Sequence, residues 1–351
     1  MDKIQETVSK IRSLDSDLMQ KAQAKLDNLT KPRGSLGRLE ELAKQIVGIT
    51  GDINSKLNKK TIIVMASDHG VVNEGVSAYP KDVTAQMVYN FLSGDAGINV
   101  LAKHIGAEVK VVDFGVASDL GEHPFLVSEK VDFGTKNMAK GPAMTKKQAL
   151  KSIQAGIEVV EDVIRDGCDI IGTGDMGIGN TTASSAIASV TCQADVNLVT
   201  GHGTGIDESG LEHKINVIKG AIALNKPDSS NAIDVLAKIG GFEIGGIAGV
   251  ILGASANRIP VVIDGFISGA GALVAASIAP KSKDFMIASH CSVEKGHRIV
   301  LEKLGLNPLF DFNMRLGEGT GAALGMNIAE ASVKILNEMA TFEEAGVSEK
   351  K

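Results

Sequence analysis

Six short stretches, 61–66, 109–113, 169–172, 196–199, 260–264 and 285–288, are apolar at nearly every position and rich in β-branched residues. A strand that is apolar on both faces must be covered on both, and the cover is helical when the strands run parallel. Helix-forming stretches at 83–105, 145–165, 181–191, 243–257 and 267–279 lie between the runs. This alternation predicts an α/β chain with one parallel sheet and helices on both faces.

The first 30 residues carry Ile4, Val8, Ile11, Leu14, Leu18, Ala22, Leu26 and Leu29 at steps of three and four, the stripe of one long amphipathic helix. After a break at 30–35, a second stripe of Leu36, Leu39, Leu42, Ala43 and Ile46 runs to a stop at Gly51. These helices have no strand to cover, and an apolar helix over 321–339 is expected to fold back on them. The expected organisation is a small three-helix domain from 1–55 and 321–351 and a large α/β domain over 56–320. The polar tail 343–351 reads as frayed.

Thirty-six Lys+Arg against 42 Asp+Glu give a formal net charge of −6, without a basic block to track a phosphate backbone, so nucleic acid is not an expected partner. No run of about 18 apolar residues occurs to span a bilayer, and the charged amphipathic start is not a signal peptide. A cytoplasmic location is expected, with Cys168, Cys192 and Cys291 as reduced thiols, since they are scattered and without C-x-x-C spacing. The seven histidines include no H-E-x-x-H and no i, i+4 pair, so neither a metal nor another cofactor is expected. No G-x-S-x-G elbow is present, which argues against a serine hydrolase.

Ligands of open α/β sheets bind beyond the carboxyl ends of the strands, and here those ends carry polar residues: Ser67, Asp68 and His69, then Asp113, Asp264, and Ser289 with His290. Glycine is also in excess, 40 of 351 residues or about 11% against about 7% in ordinary proteins, and it clusters after the apolar runs. The first cluster, 172–182, contains Gly174, Met176, Gly177, Ile178, Gly179 and Asn180, a candidate nest of backbone N–H groups for an anion at a helix start. The second, Gly201, Gly203, Thr204 and Gly205 with Lys214 on the following helix, is a candidate second nest or a tight turn. The third sets Glu318 between Gly317 and Gly319, ahead of an apolar helix. Close backbone packing there would desolvate the carboxylate toward the range of a general base, while an acid at a helix start is also explained by the macrodipole.

Residues 172–177 satisfy G-x-G-x-x-G, which permits a nicotinamide-dinucleotide oxidoreductase, although the acid expected about 20 residues on would be Asp195, ahead of the next run when it should end it. A non-catalytic nucleotide-binding protein is the other alternative.

Taken together the clusters resemble the nicotinate-nucleotide:dimethylbenzimidazole phosphoribosyltransferase family of cobalamin nucleotide-loop assembly. The matching stretches are TKPRGSLGRLE at 30–40, ASDHGVVNEGVSAYPKDVTAQMVYNFLSGDAGINVLA at 66–102, DFGV at 113–116, KGPAMT at 140–145, GDMGIGNTTASSA at 174–186, VTGHGTGID at 199–207, DGFISGAGAL at 264–273, SHCSVEKGH at 289–297 and MRLGEGTGAAL at 314–324. The resemblance implies a Rossmann-like large domain, a small three-helix domain, a homodimer with each site completed by the neighbouring subunit, and phosphoribosyl transfer from nicotinate mononucleotide to a benzimidazole. It implies Glu318 as general base with Asp175 in support. Ser77, Tyr79, Gln86, Met87 and Leu316 would border the aromatic base. The 174–180 loop, Gly203, Thr204, Gly205, Lys214 and Ser289 would hold the phosphoribosyl group. Two positions depart from the family pattern: Asp175 stands where many members carry Glu, and His202 where many carry Arg.

Overall fold

The structure, a computed structural model, describes residues 3–348. Its strands are β1 (Lys60–Ser67), β2 (Ala107–Gly115), β3 (Leu126–Ser128), β4 (Ile170–Met176), β5 (Val261–Ile263) and β6 (Met286–Ala288). They form one parallel sheet in the order β3-β2-β1-β4-β5-β6, so the chain winds one way from β1 and the other way from β4. The reversal between β1 and β4 opens a crevice at their carboxyl ends.

The helices before β4 are α1 (Lys3–Lys10), α2 (Ser16–Asp27), α3 (Arg38–Thr50), α4 (Val83–Ser93), α5 (Gly97–Ile105) and α6 (Lys146–Arg165). After β4 come α7 (Asn180–Cys192), α8 (Val196–Val199), α9 (Glu208–Asn225), α10 (Ala232–Ile239), α11 (Phe242–Ala256), α12 (Phe266–Ile278), α13 (His297–Leu304), α14 (Thr320–Glu338) and α15 (Phe342–Ala345). All eight residues of β1 are buried, and they alternate between two cores. Ile62, Val64 and Ala66 meet Val88, Ile98, Ala102 and Met326 from α4, α5 and α14, whereas Ile63 and Met65 join the core built with α6, α7, α11 and α12. A third cluster, Ala22, Leu26, Leu29, Ala43, Val47 and Leu336, joins α2, α3 and the far end of α14.

Several expectations need correction. Residues 196–199 form one helical turn, because Asp195 caps it by accepting from Asn197 N at 2.8 Å; the sixth strand is instead β3, at the sheet edge. The N-terminal stripe breaks at 11–15, where the Asp15 carboxylate caps α2 through Leu18 N and the Asp15 amide donates to Gly48 O. Helix α1 then lies against α6 and α11, with Lys3 paired to Glu161. The 83–105 helix divides at Gly94, whose φ of +85° ends α4. Of the tail, residues 342–345 form α15, started by a capping box between Thr341 and Glu344, and 349–351 lie outside the described residues. Among the described residues no helix is long and apolar enough to cross a membrane.

Candidate active site

A cavity of about 750 Å³ opens at the carboxyl edge of the sheet, within the size range of small-molecule sites. Its wall brings together Tyr79, Met87, Asp175, Met176, Gly177, Ile178, Asn180, Gly203, Thr204, Leu316 and Glu318 from the residues named above. His290 of the strand-end residues joins them, and the wall adds Val83, Thr181, Gly265, Phe266, Ile267, Ser292, Glu294 and Arg315. A side lobe of about 430 Å³ shares Gly203, Glu294 and Arg315 and is lined by His202 and Gly205.

Glu318 is held by an unusual backbone. Gly317, Glu318 and Gly319 have φ of +80°, +62° and +91°, three successive residues in the left-handed region. For the glutamate that conformation costs roughly 1–2 kcal/mol, which accounts for glycine on either side. The carboxylate, 6% exposed, accepts from Ile98 N at 3.1 Å, in the first turn of α5. Thus it sits at the start of a neighbouring helix and not of the helix that follows it. Burial raises its pKa, and the Ile98 hydrogen bond works against that rise.

Asp175 faces Met65 across the β1–β4 ladder, and its Oδ2 accepts from Asn180 Nδ2 at 3.0 Å while Oδ1 is buried without a partner. Burial, then the charges of Asp264, Glu243 and Glu318, hold this carboxyl well above the usual range. Asp264 lies behind the wall, where Oδ1 accepts from Ala322 N at 3.0 Å and so caps α14; burial lifts it to about 7 against the amides that lower it.

The glycine cluster divides differently from its sequence pattern. Residues 172–176 belong to β4, so Gly172 and Gly174 admit close packing of α14 and its preceding turn, and a Cβ on Gly174 would stand 2.5 Å from Glu318 O. Asp175 and Met176 at the end of β4 and Gly177, Ile178, Asn180 and Thr181 after it reach the cavity, with Gly179 as the left-handed N-cap of α7 (φ +92°). The oxidoreductase reading loses its fingerprint here, since the first two glycines pack against protein and Asp195 caps α8.

Lys214 lies beneath the wall, 1% exposed, and its Nζ donates to Thr181 Oγ1 at 2.9 Å and to Gly201 O at 3.2 Å, directly behind Gly203. Burial lowers it to about 8, with Glu294 acting to raise it. Ser77 stands off the wall but pairs with Thr204 Oγ1 at 3.2 Å, and Ala78 N donates to the same oxygen, so the 77–79 turn is fastened to the Gly203–Gly205 loop. Besides Gly174, two named residues are not brought in. Gln86 is exposed outside the cavity of a single chain, and the Ser289 hydroxyl is fully buried on the carbonyls of Ile263 and Asp264 at 2.8 and 2.9 Å. Phe266 and Ile267 were not singled out in the sequence, and their signal was their place at the start of α12.

Among the described residues no group of three or more His, Cys, Asp or Glu side chains is placed to hold a metal ion. An apolar end, a buried carboxylate and helix starts facing one cavity define an α/β group-transfer enzyme for an anionic substrate. The phosphoribosyltransferase family's model matches residues 11–347. The nicotinate-nucleotide–dimethylbenzimidazole phosphoribosyltransferase of Geobacter sulfurreducens is 55% identical over 99% of this chain and 99% of its own. That of Geobacter metallireducens is 57% identical over 99% and 98%. The solved structure of CobT from Thermus thermophilus superposes with a TM-score of 0.92 at 44% identity, covering 95% of this chain and all of that one. The chain belongs to the nicotinate-nucleotide:dimethylbenzimidazole phosphoribosyltransferase family.

Proposed function

We propose that the protein transfers the phosphoribosyl group of nicotinate mononucleotide to dimethylbenzimidazole or a related azole, releasing nicotinate and forming α-ribazole phosphate for the lower-ligand nucleotide of cobalamin. The observation that carries this reading is the buried Glu318 carboxylate on a wall that also holds the apolar residues Met87 and Leu316 and the start of α7.

The azole lies against Tyr79, Met87 and Leu316. The phosphate sits at the start of α7, beside Gly177, Thr181, Gly203 and Thr204, with Lys214 supplying charge from behind. The leaving nicotinate ring is already a pyridinium and departs as a neutral nitrogen, so no general acid is required. As one azole nitrogen attacks the anomeric carbon from the opposite face, the other N–H becomes acidic and Glu318 takes its proton, with inversion from β to α. Asp175 fixes Asn180 and crowds Gly317, and so supports the loop that carries the base. General-base assistance is worth about 10²–10⁴-fold, and alignment of the two substrates supplies the larger share of the rate.

A homodimer, with the neighbouring subunit closing the cavity, is supported by Tyr79 and Leu316, 53% and 61% exposed at this wall. A small domain within 1–55 and 321–351, beside a large one over 56–320, is supported by the separate apolar cluster of α2, α3 and the far end of α14, while α1 packs with the large domain. A cytoplasmic location accords with the absence of a membrane-crossing helix among the described residues. The test is nicotinate release from nicotinate mononucleotide with dimethylbenzimidazole, without added metal, by wild type and Glu318→Gln. Azole-dependent release that drops about 10²-fold or more in the variant is expected. Wild-type protein that binds the nucleotide without turnover would favour a binding protein.

A further inference from the structure

Helix α4 carries a polar residue where its pattern calls for an apolar one. Thr84, Val88 and Phe91, at steps of four and three, form its buried stripe, and Val83 and Met87, one position round, reach the cavity wall. A buried threonine inside a helix ordinarily returns its hydroxyl to the carbonyl one turn back. Thr84, 0% exposed, instead accepts at Oγ1 from Ile178 N at 3.1 Å, across 94 residues of sequence. Ile178 lies in the turn between β4 and α7 and lines the cavity. We infer that Thr84 is a positioning residue for the transfer, whose one hydrogen bond sets the azole-bearing helix and the nucleotide-bearing turn at the separation the reaction needs. This rests on the phosphoribosyl-transfer reading above.

The bond is supported at both ends. An accepting hydroxyl keeps its hydrogen to donate, and the acid beside it is Asp68: burial raises that carboxyl, while the Ala117 amide and then the Thr84 hydroxyl lower it. Asp68 is itself fixed, with Oδ2 accepting from Ala117 N at 2.8 Å, its amide donating to Gly115 O at 2.9 Å and its carbonyl accepting from Thr135 N at 3.0 Å. On the other side the turn has no slack against the end of β1. A Cβ on Gly177 would stand 2.3 Å from Ser67 O, and one on Gly179 would stand 2.7 Å from Val72 Cγ2 and 3.2 Å from His69 Cβ. His69 is held in turn by Glu243 at 2.7 Å, both side chains buried. The Ser77 and Ala78 bonds to Thr204 tie the same two halves at the partly exposed rim, whereas Thr84 ties them in the interior, where a lost acceptor leaves a buried N–H bare. Thr84 stands behind the wall, so its loss acts on the alignment of the two substrates and not on the contacts either one makes.

The experiment measures kcat and both KM values for nicotinate release from nicotinate mononucleotide with dimethylbenzimidazole, in wild type, Thr84→Val, Thr84→Ser and Thr84→Ala, with folding checked by urea midpoints. Baring a buried N–H costs about five- to 150-fold in an equilibrium, and a shift of about 1 Å between reacting groups costs on the order of 10²-fold in rate. Thr84→Val keeps the shape and loses the acceptor, so kcat should fall at least about five-fold with both KM values within about three-fold, and Thr84→Ser should return kcat to within about three-fold of wild type. Ser and Ala differ by the one oxygen, so that pair carries the comparison if Thr84→Val does not fold, with Thr84→Ala expected at least about five-fold below Thr84→Ser in kcat. A smaller fall in Thr84→Val, equal kcat in Thr84→Ser and Thr84→Ala, or a loss confined to one KM would overturn the positioning role and leave the transfer reading standing. Wild-type protein that releases no nicotinate with the azole would overturn the transfer reading, and this role with it.

Discussion

Gly174→Ala tests whether the placement of Glu318 depends on the strand behind it. The added Cβ would stand 2.5 Å from the carbonyl oxygen of Glu318 and 2.8 Å from its carbonyl carbon, whereas ordinary contact begins at 3.4 Å. The Glu318 backbone must therefore retreat by about 0.9 Å, the difference between 3.4 and 2.5 Å. A misplacement of about 1 Å costs on the order of 10²-fold in rate. Overpacking of this kind also costs about 1–3 kcal/mol, visible as a lower urea midpoint. Gly172→Ala is the internal control, because the nearest atoms to its Cβ would be the Met326, Ile62 and Ala322 side chains at 3.0, 3.1 and 3.2 Å, none of them in the 317–319 turn. Single-turnover nicotinate release, with folding checked by circular dichroism, should show kcat down about 10²-fold for Gly174→Ala and by less than about three-fold for Gly172→Ala. Wild-type turnover in Gly174→Ala, or equal losses in both variants, would refute the argument that β4 positions the base.

Burial raises Glu318, and the base must be ionised, so kcat should fall on the acid side with a midpoint above the ordinary carboxylate value of 4.5. Lys214, lowered to about 8 by burial, should give kcat/KM for the nucleotide a basic limb near that pH, and Lys214→Met should remove the limb and raise KM about ten-fold or more. Asp264 is raised from 3.8 to about 7, so the folded chain holds its proton more tightly than the unfolded one. Its contribution to stability is full below about pH 3.8 and is lost as the pH rises through about 7; urea midpoints of Asp264→Asn should lack that slope, and an unchanged slope would count against it. Ser289→Ala should lower stability by about 1 kcal/mol and leave KM for the nucleotide within two-fold, because its hydroxyl is spent on backbone carbonyls.

The sheet was legible because a run such as Ile62-Ile63-Val64-Met65 has no polar face, which only a doubly covered strand permits. The run at 196–199 misled because four apolar residues have no measurable period, and the decision fell to the Asp195 cap. β3, three residues long, was too short to register. At the site, residues at strand ends were readable and side-chain direction was not. Ser289 and His290 are adjacent, yet one turns to backbone carbonyls and the other to the cavity. On α4, Met87 reaches the wall while Gln86, about 100° round the helix, does not. The pairing of Glu318 with α5, over 220 residues of sequence, had no local signal at all.

α14 begins at the Glu318 turn and ends in a different core. Thr320 follows the Gly319 cap, and Leu336 packs with Ala22, Leu26 and Val47. Sixteen residues of helix separate them, about 24 Å of stiff rod. The 317–319 turn is thus mounted on a strut whose far anchor is the small helical cluster. Wear at that anchor, through a cavity at Leu336 or a loosened α2, would reach the base as a tilt, so residues with no view of the substrate are bound to the same tolerance as those that touch it.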